Sequence, residues 1–353
     1  MFTDMYFNRT KKILQKSHNN TEALMQVFPR KDGVLCGINE VINLIKKEDP
    51  LSKFITVKTL KEGSEIKENE TVMTIEGEFR RFVQLETVYL GILSRMSSIC
   101  TNMKEIIDAA NGKEVIMMSA RFERPEMQEY DGYAAYIGGC KKFSTEMNCF
   151  ATRYDYRHGV LLSSEIKPVG TIPHALIAAY GGNTLEATLA FDKYIDPKVP
   201  RIALVDFEND CVKTSLEVAR VLKDKLYAVR LDTSKNMVDE SIQKELCTIN
   251  GIRFLDEFLK TEFGGVCPKL VRLVRENLDK EGFNNVKIIV SGGFTAEKIR
   301  RFVQEEVPFD IVGVGSAIYN KRFDFTADIV KLNGKDCAKV GREYNPNKKL
   351  QLV

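Results

Sequence analysis

The sequence predicts an α/β protein in which a mixed α+β region precedes an α/β barrel. Three observations support this. From about residue 114 onward, short β-branched runs recur, several of them followed by amphipathic stretches of helical period. Such alternation over roughly 200 residues implies parallel strands joined by right-handed crossovers. The runs are apolar on both faces, as strands covered by helices on both sides must be. Residues 1–110 have another texture, with short alternating runs punctuated by turn signals. At about 150 residues per domain, a chain of 353 suggests two. They are drawn at 1–112 and 113–321, with the polar tail 322–353 packing back on the first.

Taken in order, MFTDMYFNRTKK is a polar, helix-prone start, and GVLCGINEVINLIKKE (33–48) follows it. Residues 55–83 read as a small curled sheet of short strands that turn near Gly63 and Gly77. Leu85, Val88, Leu93 and Met96 fall at helical spacing and predict a long linking helix over 84–111. Barrel strands are expected at 115–121, 167–171, 201–207, 226–233, 286–293 and 309–316, with GIRFL (251–255) a further candidate. Six or seven such units suit a closed barrel better than an open sheet.

Composition removes several functions. Lys+Arg 52 against Asp+Glu 49, with the signs interleaved, gives no basic face for nucleic acid. No apolar run approaches the ~20 residues that a membrane span needs. Asp4 and Asn8 interrupt the stretch where a secretion signal would sit, so a cytoplasmic protein is expected. The eight cysteines are scattered without a C-x-x-C pair, and there are three histidines. That pattern suits neither a disulfide framework nor zinc, and most of the thiols are expected to be small buried groups.

In an α/β barrel the active site lies at the C-terminal ends of the strands. Those positions hold Arg121, Thr171 with His174, Asp206, Arg230 with Asp232, Gly292 with Gly293, and Gly315 with Ser316. SGGFTAEKI is a strand entering glycines and then a helix capped by Thr295, and GVGS ends the next strand. Two adjacent Gly-rich strand ends expose backbone N–H groups that together cradle a phosphate. Asp206, Arg230 and Asp232 suit sugar hydroxyls, Mg²⁺ and a phosphate, although a structural ion pair fits Asp206 nearly as well. Arg121 offers a planar donor fork for a carboxylate or phosphate, or else a salt bridge to Glu123 or Glu126. A lone His174 is more often structural than catalytic. Tyr133, Tyr136 and the aromatics near Phe143 read as core, and Lys141 and Lys142 as solvated charges.

The chain resembles nicotinate phosphoribosyltransferases of the branch that shares its fold with quinolinate phosphoribosyltransferase. TDMYF (3–7), LETVYLGILS (85–94), SAR (119–121), AAYIGGC (134–140), VGTIPHAL (169–176), LVD (204–206), VRLD (229–232), SGGFT (291–295) and VGVGS (312–316) fall in the family's order. The resemblance implies an N-terminal α+β domain with a lipoyl-like sheet and an irregular α/β barrel. It departs at FEND after Asp206, where a Thr is expected, and at Lys141 and Lys142, which could alter base choice. Some relatives carry a cysteine-rich zinc knuckle near the C-terminus, whereas Cys337 stands alone here, so no zinc is expected.

The implied reaction displaces pyrophosphate from the ribose of phosphoribosyl pyrophosphate through a cation-like transition state, as in glycoside chemistry. The pyridine nitrogen is already a nucleophile, so positioning and electrostatic stabilisation are the catalytic work. Under the resemblance, Gly292, Gly293, Gly315 and Ser316 hold the 5-phosphate. Asp232 and Asp206 hold ribose hydroxyls or Mg²⁺, Arg230 counters phosphate charge, and Arg121 takes the nicotinate carboxylate. Ser144 and Thr171 add hydrogen bonds. His174 belongs to the ATP-coupled nicotinate enzymes, with ATP as co-substrate, while Asp4 and Tyr6 reach a neighbour's site in a homodimer or larger oligomer. The rivals are quinolinate phosphoribosyltransferase, which Lys141 and Lys142 favour, and a non-catalytic nucleotide-binding regulator.

Overall fold

The computed structural model describes residues 2–49, 53–150, 154–155, 160–161, 166–250 and 256–353. Helix α1 (Met5–Lys16) buries none of its side chains. Strands β1 (Glu22–Pro29), β2 (Gly33–Val34), β3 (Ile55–Thr59), β4 (Glu65–Ile66) and β5 (Met73–Glu78) follow. Helix α2 (Ile38–Glu48) lies between β2 and β3 and buries Val41, Ile42 and Ile45. Its first N–H groups, which have no partner within the helix, are capped from a distance: the Glu62 carboxylate accepts Gly37 N–H at 2.6 Å and Asn39 N–H at 3.0 Å.

A short α3 (Phe79–Phe82) leads into the linking helix α4 (Glu86–Ala110), which ends where Asn111 turns left-handed. Tyr89 and Leu93 of α4 belong to the N-terminal core, and Met96, Cys100 and Met103 to the barrel core. One helix thus serves both domains.

The barrel elements are β6 (Glu114–Met117), α5 (Gln128–Ile137), β7 (Lys142–Phe143), α6 (Glu146–Phe150), β8 (Tyr154–Asp155), β9 (Val160–Leu161), α7 (His174–Ala179) and α8 (Thr184–Tyr194). After them come β10 (Arg201–Leu204), α9 (Cys211–Leu222), β11 (Leu226–Leu231), α10 (Glu240–Asn250) and α11 (Asp256–Phe263). The barrel ends with α12 (Pro268–Lys280), β12 (Lys287–Val290), α13 (Ala296–Gln304) and β13 (Ile311–Val314). Six parallel strands order as β10-β11-β12-β13-β6-β7 and curl into an irregular half-barrel. Ile116, Ile202, Ala228, Ile289 and Ile311 meet inside it, and Val169 packs against them.

Two expectations need correction. Residues 167–171 form no strand: Val169 N–H donates to the Phe143 carbonyl at 2.8 Å, and Pro168 has no N–H to extend the ladder. The two-residue β7 takes that edge instead, too short to leave a periodic signal. The sheet also stops short of closing among the described residues, where β10 and β7 are its two edges. GIRFL lies outside the described residues.

The C-terminal strands β14 (Phe325–Leu332), β15 (Lys335–Asp336) and β16 (Gln351–Leu352) complete an antiparallel sheet ordered β15-β14-β1-β5-β3-β16. Tyr133 and Phe143 are core residues. No helix among the described residues is long and apolar enough to cross a membrane.

Candidate active site

The C-terminal ends of the barrel strands surround a cleft of about 400 Å³. Arg121, Ser144, Thr171, His174, Arg230 and Asp232 line it, as do Gly292, Gly293, Gly315 and Ser316. Asp206 and Tyr6 do not. Tyr6 is exposed on α1, where its hydroxyl donates to Asp4 at 3.2 Å, and Asp4 accepts a second bond from Thr87.

The glycines stand where side chains would be strained or would not fit. Gly292 and Gly293 have φ of +85° and +73°, a left-handed conformation that glycine adopts without Cβ strain. They turn the chain from β12 into α13, whose first turn is capped by Thr295 accepting the Lys298 N–H. A Cβ on Gly315 would come within 2.5 Å of the Phe122 ring and 3.0 Å of the Met118 carbonyl. The exit of β13 therefore lies directly against the loop that follows β6.

Arg230, in β11, and Asp232, one residue past its end, are two residues apart, and their side chains meet on the same side of the chain. Ser291, from the end of the neighbouring β12, joins them. Arg230 Nε donates to Ser291 Oγ at 2.9 Å, and Ser291 Oγ donates to Asp232 Oδ1 at 2.7 Å. Arg230 Nη2 also lies 3.3 Å from Asp232 Oδ2. Sequence reasoning missed this role of Ser291; its position just before the paired glycines was the available signal.

Arg121 is exposed and has no acidic partner among the described residues. Both carboxylates that could have taken it are engaged elsewhere: Glu123 with Arg95 at 3.3 Å and Glu126 with Arg124 at 3.3 Å. His174 Nε2 sits 3.0 Å from each Asp206 carboxylate oxygen. Asp206 therefore stands behind His174 rather than on the cleft wall. Burial pushes its carboxyl above the usual range; His174 opposes that shift and Asp232 adds to it.

Lys141 and Lys142 make their contacts outside the cleft. Lys141 Nζ lies 3.7 Å above the Tyr136 ring, and Lys142 Nζ is 3.0 Å from Glu114. Neither lysine lines the cleft. No group of three or more His, Cys, Asp or Glu side chains among the described residues could hold a metal on its own.

Two family models cover nearly all of the chain. The N-terminal domain of quinolinate phosphoribosyl transferase matches residues 4–97, and its C-terminal domain matches residues 99–328. The chain belongs to the quinolinate phosphoribosyl transferase family. Within it, the chain is similar to the crystal structure of nicotinate-nucleotide pyrophosphorylase from Pyrococcus furiosus. The match is 33% identical with a TM-score of 0.79, over 100% of this chain and 82% of the other. A Mycobacterium tuberculosis nicotinate phosphoribosyltransferase is 26% identical over 73% of this chain and 49% of its own. A probable carboxylating nicotinate-nucleotide pyrophosphorylase of Methanothermobacter thermautotrophicus is 22% identical over 78% of this chain and 85% of its own. The chain spans about half the length of the curated nicotinate relatives it matches.

Proposed function

We propose that this protein is a phosphoribosyltransferase of NAD biosynthesis that joins a pyridine carboxylate to phosphoribosyl pyrophosphate and releases pyrophosphate. One observation carries the reading: a single cleft combines two glycine strand ends, the braced Arg230–Asp232 pair and the Arg121 guanidinium, which no described carboxylate takes. The pyridine nitrogen attacks the ribose carbon while the bond to pyrophosphate breaks. The strand-end N–H groups anchor the 5-phosphate, Asp232 orients the ribose, and Arg230 counters the charge that grows on the leaving group. Asp232, on the cleft wall, offers oxygen donors of the kind Mg²⁺ takes, and the ion would supply charge neutralisation at the pyrophosphate.

Nicotinate as the base is supported by Arg121, whose donor fork matches one carboxylate. ATP coupling would pass through His174. With Nε2 turned to Asp206, Nδ1 is the ring nitrogen left for attack on the terminal phosphate of ATP, with ADP leaving. A second reading has quinolinate as the base, with loss of one carboxyl as carbon dioxide. The descriptions of both family models and the carboxylating Methanothermobacter relative weigh toward this second reading. In either case, Asp4 and Tyr6 would serve a neighbouring subunit rather than their own cleft.

The test is incubation with phosphoribosyl pyrophosphate and Mg²⁺, adding nicotinate, quinolinate or nicotinamide in turn, with and without ATP. Product with nicotinate that ATP increases supports the first reading, and product with quinolinate plus carbon dioxide supports the second. Binding of phosphoribosyl pyrophosphate without turnover of any base would refute the enzyme and leave the regulator.

A further inference from the structure

Outside the cleft lining, a buried carboxylate gathers donors from separate parts of the chain. Asp131, on α5, has a side chain only 2% exposed. Arg95 Nη2, from α4, donates to both of its oxygens at 2.8 and 3.0 Å. The Tyr319 hydroxyl, at the end of the turn that begins with Ser316, donates to Asp131 Oδ2 at 2.8 Å. The same guanidinium reaches Glu123 in the Arg121 loop through Nη1 at 3.3 Å. Ser119, at the start of that loop, is itself buried.

The geometry points to Arg95, Asp131 and Tyr319 as positioning residues that hold the Arg121 loop and the Ser316 turn in a fixed relation. This rests on the functional reading above, in which the loop takes the base and the turn takes the phosphate. A carboxylate buried this completely is stable as an ion only while its donors stay in place. Loop, turn and helix therefore move together or not at all. A second junction joins the same two segments, since Met118 N–H donates to the Val314 carbonyl at 2.6 Å. Burial raises the Asp131 carboxyl and Arg95 opposes it, so the cluster is costly to assemble and serves poorly as mere filling.

Tyr319→Phe tests this, because it removes one hydroxyl and keeps the ring. Amide exchange should quicken by about threefold or more in residues 119–124 as well as around 316–320. KM for both the base and phosphoribosyl pyrophosphate should rise roughly two- to tenfold, the equivalent of one hydrogen bond, with kcat nearly unchanged. In an Arg121→Ala background the effect on the base should vanish, because the group being positioned is gone. Faster exchange confined to 316–320, or an equal effect on the base in both backgrounds, overturns the inference. If the unmodified protein turns over no base, the functional reading fails and the exchange result alone decides this one.

Discussion

Ser291→Ala removes the hydroxyl that joins Arg230 to Asp232. Three contacts of its oxygen disappear, to Arg230 at 2.9 Å, to Asp232 at 2.7 Å and to the Leu231 carbonyl at 3.1 Å, the last two sharing one proton, while the direct Arg230–Asp232 approach at 3.3 Å survives. A hydrogen bond to a charged group contributes about 1.5–3 kcal/mol. Both charged side chains keep some access to water, at 18% and 21% exposure, so water recovers part of what is lost. The loss of stability should therefore be close to that of one bond, about 2 kcal/mol. The kinetic effect should be of similar size, since the freed pair no longer faces the ribose and pyrophosphate in one geometry. If the lost interaction acts fully in the transition state, kcat/KM falls by about 10- to 100-fold. Initial rates with phosphoribosyl pyrophosphate varied, alongside denaturant unfolding, measure the two effects separately. A stability loss of that size with unchanged kcat/KM would show the brace to be structural and refute the reasoning.

Arg121→Ala should weaken the base by about 1.5–3 kcal/mol and leave phosphoribosyl pyrophosphate nearly untouched, as read by isothermal calorimetry with each ligand. Equal weakening of both would remove Arg121 from base recognition. His174→Ala should fold normally and retain slow ATP-independent transfer while losing ATP hydrolysis; hydrolysis that survives the substitution ends the phosphohistidine step. Glu40 is held at a pKa of about 7 by burial, with Glu62 and Glu129 adding to it and Lys47 opposing. The folded state thus favours its protonated form, so this contribution to stability is complete at low pH and is lost as pH rises from about 4.5 to 7. Glu40→Gln should be more stable than the parent at pH 8 by up to about 3 kcal/mol, with the difference fading near pH 4.5. Unfolding curves that differ equally at both pH values would contradict this.

Period, burial and strand-end position are local properties, and the sequence alone determined what depends on them. Recurring β-branched runs located five of the six barrel strands, and the spacing of Leu85, Val88, Leu93 and Met96 located α4. The i, i+2 relation of Arg230 and Asp232 puts both on the same side of an extended chain whatever packs against it. The glycines at 292, 293 and 315 marked the strand ends that the cleft uses. What only tertiary structure decided was the pairing of charges. Asp206 could equally have faced the cleft, but the approach of α7 put His174 upon it. Glu123 stands two residues from Arg121 in the chain, yet Arg95 of a distant helix took it and left Arg121 to the cleft. Ser291 met Arg230 through the register of β11 on β12, and Asp131 gained Arg95 and Tyr319 from elements 36 and 188 residues away. The strength of a charged contact depends on distance and desolvation, and both are set by how remote segments pack rather than by the order of residues along either one.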